Sequence, residues 1–176
     1  GDRIQVNAQR SGPRSETHVW AEDYRRDLTA EDLFAIQGEI TGEIANALKA
    51  QLTAGEQERI AGAPTEDLGA YRLYVQGRSL MDSRAGDSLK KAIGTFKRAL
   101  RQDSSYALAW AGLADARVLY ASYNAESQEA FSERMRAAIP EARTAARRAR
   151  SLDPNLAEAY ASEGVIYMYE QLVRSG

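Results

Sequence analysis

The sequence predicts a mainly helical fold: an N-terminal β-hairpin, a long linking helix, then an array of antiparallel helix hairpins. Three observations predict it. A small-residue ladder occurs twice at the same offsets, as Ala92, Phe96, Ala99 and Ser104, and again as Ala142, Ala146, Ala149 and Pro154. Each ladder follows a segment with its own small residue: Leu73, Gly77 and Leu80 before the first, Trp110, Leu113 and Ala114 before the second. At the N-terminus Ile4, Val6 and Ala8 alternate with polar residues, the period of a strand with one buried face. One ladder arises easily in an Ala-rich chain, but two aligned copies indicate a helical repeat, an architecture that typically binds other proteins.

In chain order, the first strand is followed by the turn-forming Ser11-Gly12-Pro13 and a second strand, His18-Val19-Trp20-Ala21-Glu22-Asp23-Tyr24. Two strands alone are marginal in water, so this hairpin is expected to lean on another element. Thr29 is placed to cap a helix, with Glu31 and Asp32 at its positive end. Leu33, Ile36, Ile40, Ile44 and Leu48 form its apolar row and predict a helix of about 25 residues. Gly38 and Gly42 cost that helix roughly 1 kcal/mol each relative to Ala, so close contact with a neighbour is expected there. A short helix over 54–61 precedes the break Gly62-Ala63-Pro64.

Beyond the break, small residues recur at Gly77, Ala114 and Gly164, where paired helices are expected to approach closely. The spacings of 37 and 50 equal one repeat of about 34 residues plus insertions. The larger insertion, 120–138, contains Ser127-Gln128-Glu129-Ala130, a helix-start pattern, with Phe131 and Met135 spaced to pack on one side; it either folds over the array or is a long loop. Over 70–172 the pattern resembles the tetratricopeptide repeat family, W-x-x-L-G-x-x-Y followed by A-x-x-x-F-x-x-A and a terminal Pro. Arg117 stands where that family usually has an aromatic, Ala146 replaces Phe and Ser104 replaces Pro.

The N-terminal segment carries a second resemblance. The run from His18 through Asp27-Leu28, with Leu33-Phe34-Ala35-Ile36-Gln37-Gly38-Glu39-Ile40, is similar to the end of the TolB-like domain. That resemblance implies a piece of a larger bacterial regulator, of the kind in which the domain precedes tetratricopeptide repeats and follows a nucleotide cyclase or a CadC/OmpR-type winged helix. The expected organisation is therefore a residual hairpin over 1–28, linking helices over 29–62 and repeats over 64–176. The repeats divide into 70–104, 107–154 and an incomplete 157–176. Both ends are expected to be cut from larger elements, which favours a homo-oligomer or domain-swapped dimer.

Composition narrows the function. Net charge is −2 and Cys is absent, so neither a global basic field nor a disulfide framework is expected. No run reaches the length of a membrane span, and membrane insertion is not expected. A cytoplasmic location is expected, or a periplasmic one if the parent is a membrane-anchored CadC-like regulator. The only His is His18, and no phosphate-binding glycine loop occurs, so neither catalysis, nor a cofactor, nor a metal site is expected. Arg134, Arg136, Arg143, Arg147, Arg148 and Arg150 crowd one stretch; a solvated helix face is the simplest account, and an acidic partner the sharper one.

The function expected is protein interaction in a bacterial signalling or transcriptional regulator, with a protein or peptide partner. In tetratricopeptide arrays the first helices of the hairpins line a groove, and the resemblance places Tyr71, Tyr74, Arg78, Met81, Asp115, Tyr120, Met168 and Tyr169 there. The Lys and Asn clamp of chaperone-binding members is absent, since Tyr74, Arg78, Ala111 and Asp115 stand at its positions. The alternatives are a dimerisation module of a cyclase-type signalling protein, or DNA contact through 134–150, which the charge does not favour.

Overall fold

A computed structural model describes residues 3–11, 18–27, 29–47 and 63–175. The chain forms two compact units, Gly1–Glu66 and Asp67–Gly176.

In the first unit, β1 (Arg3–Ser11) pairs antiparallel with β2 (His18–Asp27), Val6 opposite Tyr24 and Ala8 opposite Glu22, with an irregularity between Arg10 and Ser11. The expected turn at 12–13 and the helix at 54–61 lie outside the described residues. Helix α1 (Ala30–Ala47) starts as its sequence dictates: the Thr29 hydroxyl oxygen accepts from the Asp32 amide at 3.0 Å. Among the described residues it buries Phe34 and Ile36, with Leu33 and Ile40 half-buried and Ile44 exposed, so burial follows the first part of the expected apolar row and not Ile44. Gly42 has nothing within 4 Å of where a Cβ would stand, against the close contact expected there.

The expected fold class is corrected by the described elements. It made a β-hairpin a defining part of the fold, but two paired strands make no sheet layer. Six helices carry the architecture, and in Asp67–Gly176 every described element is helical, with no strand or sheet.

That unit comprises α2 (Leu68–Asp82), α3 (Gly86–Gln102), α4 (Ala107–Tyr123), α5 (Gln128–Leu152) and α6 (Ala157–Ser175). Consecutive helices pack on one another, and α4 also touches both α2 and α6. The Asp67 side chain caps α2 through the Ala70 amide at 2.8 Å. Arg84 then takes φ 54°, the left-handed conformation usually left to glycine at a helix end, and its guanidinium lies 5.7 Å from the Tyr123 ring centre. Helix α3 buries Leu89, Ala92, Phe96 and Ala99, spaced by three and four, as a helix with one apolar face must. Phe96 is fully buried at the closest approach of three helices. A Cβ on Gly77 of α2 would stand 2.7 Å from its ring, and one on Gly112 of α4 2.6 Å.

The duplication is visible in the hydrogen bonds. Asp103 and Asp153 end α3 and α5 by donating their amides to Ala99 and Ala149, both at 2.9 Å. Their carboxylates then accept from the amides two residues on, Ser105 at 2.8 Å and Asn155 at 2.9 Å. The Trp110 indole donates back to the Ser104 carbonyl at 3.0 Å, and the Tyr160 hydroxyl donates to the Pro154 carbonyl at 2.8 Å. Three bonds thus recur fifty residues apart although Ser104 and Pro154 share no side-chain chemistry, Trp110 and Tyr160 serving alike as aromatic rings that carry a hydrogen-bond donor.

The segment read as an insertion is largely helix. Ser127 caps α5 by accepting from the Ala130 amide at 3.1 Å, and 128–138 forms its first three turns, with Met135 and Ser132 buried. Pro140 sits inside this helix, where its missing N–H removes one backbone bond. Arg117, at the position where an aromatic was the norm, pairs with Glu141 across α4 and α5.

Candidate protein-binding face

Helices α2, α4 and α6 stand side by side on one face of the unit, and their polar side chains converge at its middle. Ser162 of α6 donates to the Asp115 carboxylate of α4 at 2.6 Å, with its oxygen also 2.9 Å from the Glu158 carbonyl. Burial raises the Asp115 carboxyl above the usual carboxylate range, the Ser162 bond and the positive Arg78 oppose that shift, and the negative Glu158 adds to it. Tyr74 lies in the same field: burial raises its phenol, Arg78 lowers it, and Glu158 and Asp115 raise it. One neighbourhood therefore draws Tyr74 and Arg78 from α2, Asp115 from α4, and Glu158 and Ser162 from α6.

Beneath it lies an aromatic floor. The Tyr74 ring sits 6.1 Å from Phe96 and 5.3 Å from Tyr106, both tilted, the arrangement in which ring edges meet ring faces. Tyr106 is fully buried, and its hydroxyl has no hydrogen-bond partner among the described residues. Burial, with Tyr74 and Tyr71 beside it, drives that phenol far above its ordinary value.

The eight residues expected to line the groove separate into groups. Tyr74, Arg78 and Asp115 come together as described; Tyr71, half-buried one turn before Tyr74, adds its hydroxyl to the field around Tyr74 and Tyr106. Tyr169 stands further along α6, its hydroxyl 3.4 Å from Ser122 and its ring 6.0 Å from Phe131, while Met168 beside it is exposed. Met81 instead belongs to the packed core at 7% exposure. Tyr120 lines a separate cleft between α4 and α5 with Arg134 and Ala138.

Sequence reasoning did not single out Glu158 or Ser162, although a Ser seven residues before Tyr169 shares its face of α6. It also read Arg143, Arg147 and Arg150 as a solvated face. Two of the three are engaged: Arg143 bonds Glu170 at 2.5 Å and Arg150 pairs with Glu163 at 3.0 Å, both across to α6. Among the described residues no cluster of three or more His, Cys, Asp or Glu is placed to hold a metal, and no helix is long and apolar enough to cross a membrane. The His18 side chain lies outside what is described.

Over 112 residues, 64% of its length, the chain is 40% identical to "Putative adenylate cyclase 3" of Rhizobium meliloti (strain 1021). It spans only 19% of that relative. No protein-family model matches the chain, and no solved structure matches it.

Proposed function

We propose that this chain is a protein-binding helical-repeat module of a bacterial signalling protein, built like a tetratricopeptide array and itself non-catalytic. The observation that carries the reading is the convergence of Tyr74, Arg78, Asp115 and Ser162 from three helices of one face. Aromatic and Arg side chains over a partly buried carboxylate suit an extended peptide: the rings bury apolar side chains, and the charges fix its register. The relative's name supports the signalling setting, and the small share of it that the chain spans fits a module separate from catalytic parts. The TolB-like resemblance of the first unit points to the same class of regulator. The protein is read as working in the cytoplasm.

The test is selection of a random peptide library displayed on phage against the full chain. Enriched sequences that lose binding on Arg78→Glu and on Tyr71→Ala support the reading. No enrichment over a helical control protein, or enrichment indifferent to both substitutions, overturns it.

A further inference from the structure

Away from the Tyr74 and Asp115 neighbourhood, positive charge is gathered on one side of α3. Lys90, Lys91, Lys97, Arg98 and Arg101 are all exposed, and none pairs with a carboxylate among the described residues. At 3.6 residues per turn they share one face about 120° wide, and Lys90 to Arg101 spans about 16 Å. Near the centre of that face lies the exposed Gly94, whose Cβ position has nothing within 4 Å. The opposite side of α3 carries the buried Leu89, Ala92, Phe96 and Ala99 and packs on α2 and α4.

The fold does not require this arrangement. A solvated helix face usually mixes signs, because like charges four residues apart, as at Lys97 and Arg101, destabilise a helix. Helix α3 has one acid, Asp87, in its first turn, where it complements the helix dipole rather than the cations further along. Its net charge of +4 stands in a chain of −2, so the other residues together carry −6. A single-sign stripe on an otherwise acidic chain, with no side chain at its middle, is complementary to an anion that comes close to the helix surface.

We propose that the basic face of α3 docks a short acidic segment of another protein, with its Asp and Glu side chains along the stripe and its backbone close to Gly94. The two arginines suit two-point pairing with carboxylates, and the lysines supply point charges around them. Longer polyanions fit less well. A nucleic-acid duplex or an anionic bilayer extends far beyond a stripe of about 16 Å and meets the acidic surface around it, whereas a short segment covers the stripe alone. The exposed stripe also offers no aromatic ring for a base to stack on and no apolar side chain to enter a bilayer. This face is separate from the one assigned above to an extended peptide, so either reading can fail alone.

The test uses the full chain and a fluorescent twelve-residue peptide of Glu, Asp and Ser, beside the same peptide with Lys for each acid. Anisotropy at low salt is expected to show binding of the acidic peptide, weakened about tenfold or more by Lys97→Glu combined with Arg101→Glu. Gly94→Trp, which fills an open exposed position, is expected to weaken it as well, with the helical circular dichroism of both variants unchanged. Arg147→Glu combined with Arg148→Glu reverses as much charge on α5 and is expected to leave binding unchanged. Absence of acidic-peptide binding, equal binding of the lysine peptide, or equal weakening by the α5 pair overturns the proposal. So does tighter binding of duplex DNA or of phosphatidylserine vesicles that the α3 pair weakens, which would assign the face to a different polyanion.

Discussion

Replacing Gly112 with Ala tests whether the ring of Phe96 sets how closely α2, α3 and α4 approach. A Cβ at Gly112 stands 2.6 Å from Phe96 Cε1, a distance real atoms do not adopt, and the ring is fully buried with no free direction to move. Overpacking of this kind costs about 1–3 kcal/mol. Against it, Ala favours a helix interior over Gly by about 1 kcal/mol. The net expectation for Gly112→Ala is a destabilisation of roughly 0–2 kcal/mol from those two terms. Phe96→Ala alone is expected to cost about 3–5 kcal/mol. In that background the clash is gone and the new methyl enters the vacated space, so Gly112→Ala becomes stabilising by about 1 kcal/mol. The pair is therefore coupled by about 1–3 kcal/mol in the sense of mutual rescue. Gly164→Ala, with nothing within 4 Å, is the internal control and should stabilise by about 1 kcal/mol. Urea unfolding of the four proteins of the cycle, followed by helical circular dichroism, measures each value. If Gly112→Ala changes stability equally with and without Phe96, the ring does not set the spacing and the reasoning fails.

Three further outcomes follow from the same packing. Tyr106→Phe removes a buried hydroxyl without a partner and should raise stability by about 1–2 kcal/mol in thermal or urea unfolding; a loss would mean that the hydroxyl is satisfied. Asp115 has a folded-state pKa above its unfolded value, so the folded state binds more protons just above the ordinary aspartate range. Stability from this group is full at lower pH and falls as pH rises through the raised value. Asp115→Asn should flatten that slope while its amide oxygen still accepts from Ser162, and an unchanged slope in pH-dependent unfolding would locate the titration elsewhere. Pro140→Ala restores an N–H inside α5 and should raise the midpoint of thermal unfolding, with a gain of about 1–3 kcal/mol; no gain would show that the helix has fully adapted to the ring.

How much was legible depended on whether the signal lay within one helix. Ser127 and Thr29 announced their caps because a capping side chain and the amide it receives are three residues apart. Gly77 was legible as a close approach, but Gly112 was hidden by Leu113 and Ala114, which carry the repeat pattern. Met81 was placed in the groove, yet it lies four residues from Gly77 and shares its core-facing side. Tyr120 likewise lies seven residues from Leu113, on the side turned to the core rather than with Asp115. Arg143 with Glu170, and Asp115 with Ser162, were invisible for another reason: each joins helices 27 or 47 residues apart, and no local spacing encodes such a pair. The match of Ser104 with Pro154 was legible as the end of each ladder, but the Asp before each, whose carboxylate accepts from the amide two residues on, was not, because the ladder is read from small residues.

The packing of α2 through α6 on sequence neighbours, with α4 bridging to α2 and α6, also governs how this unit is made. Pairings of this kind close short loops of chain, so little entropy is lost before each contact forms. Assembly from any one hairpin, spreading outward in both directions, is the kinetic route such an arrangement favours, and a low contact order places it among fast folders.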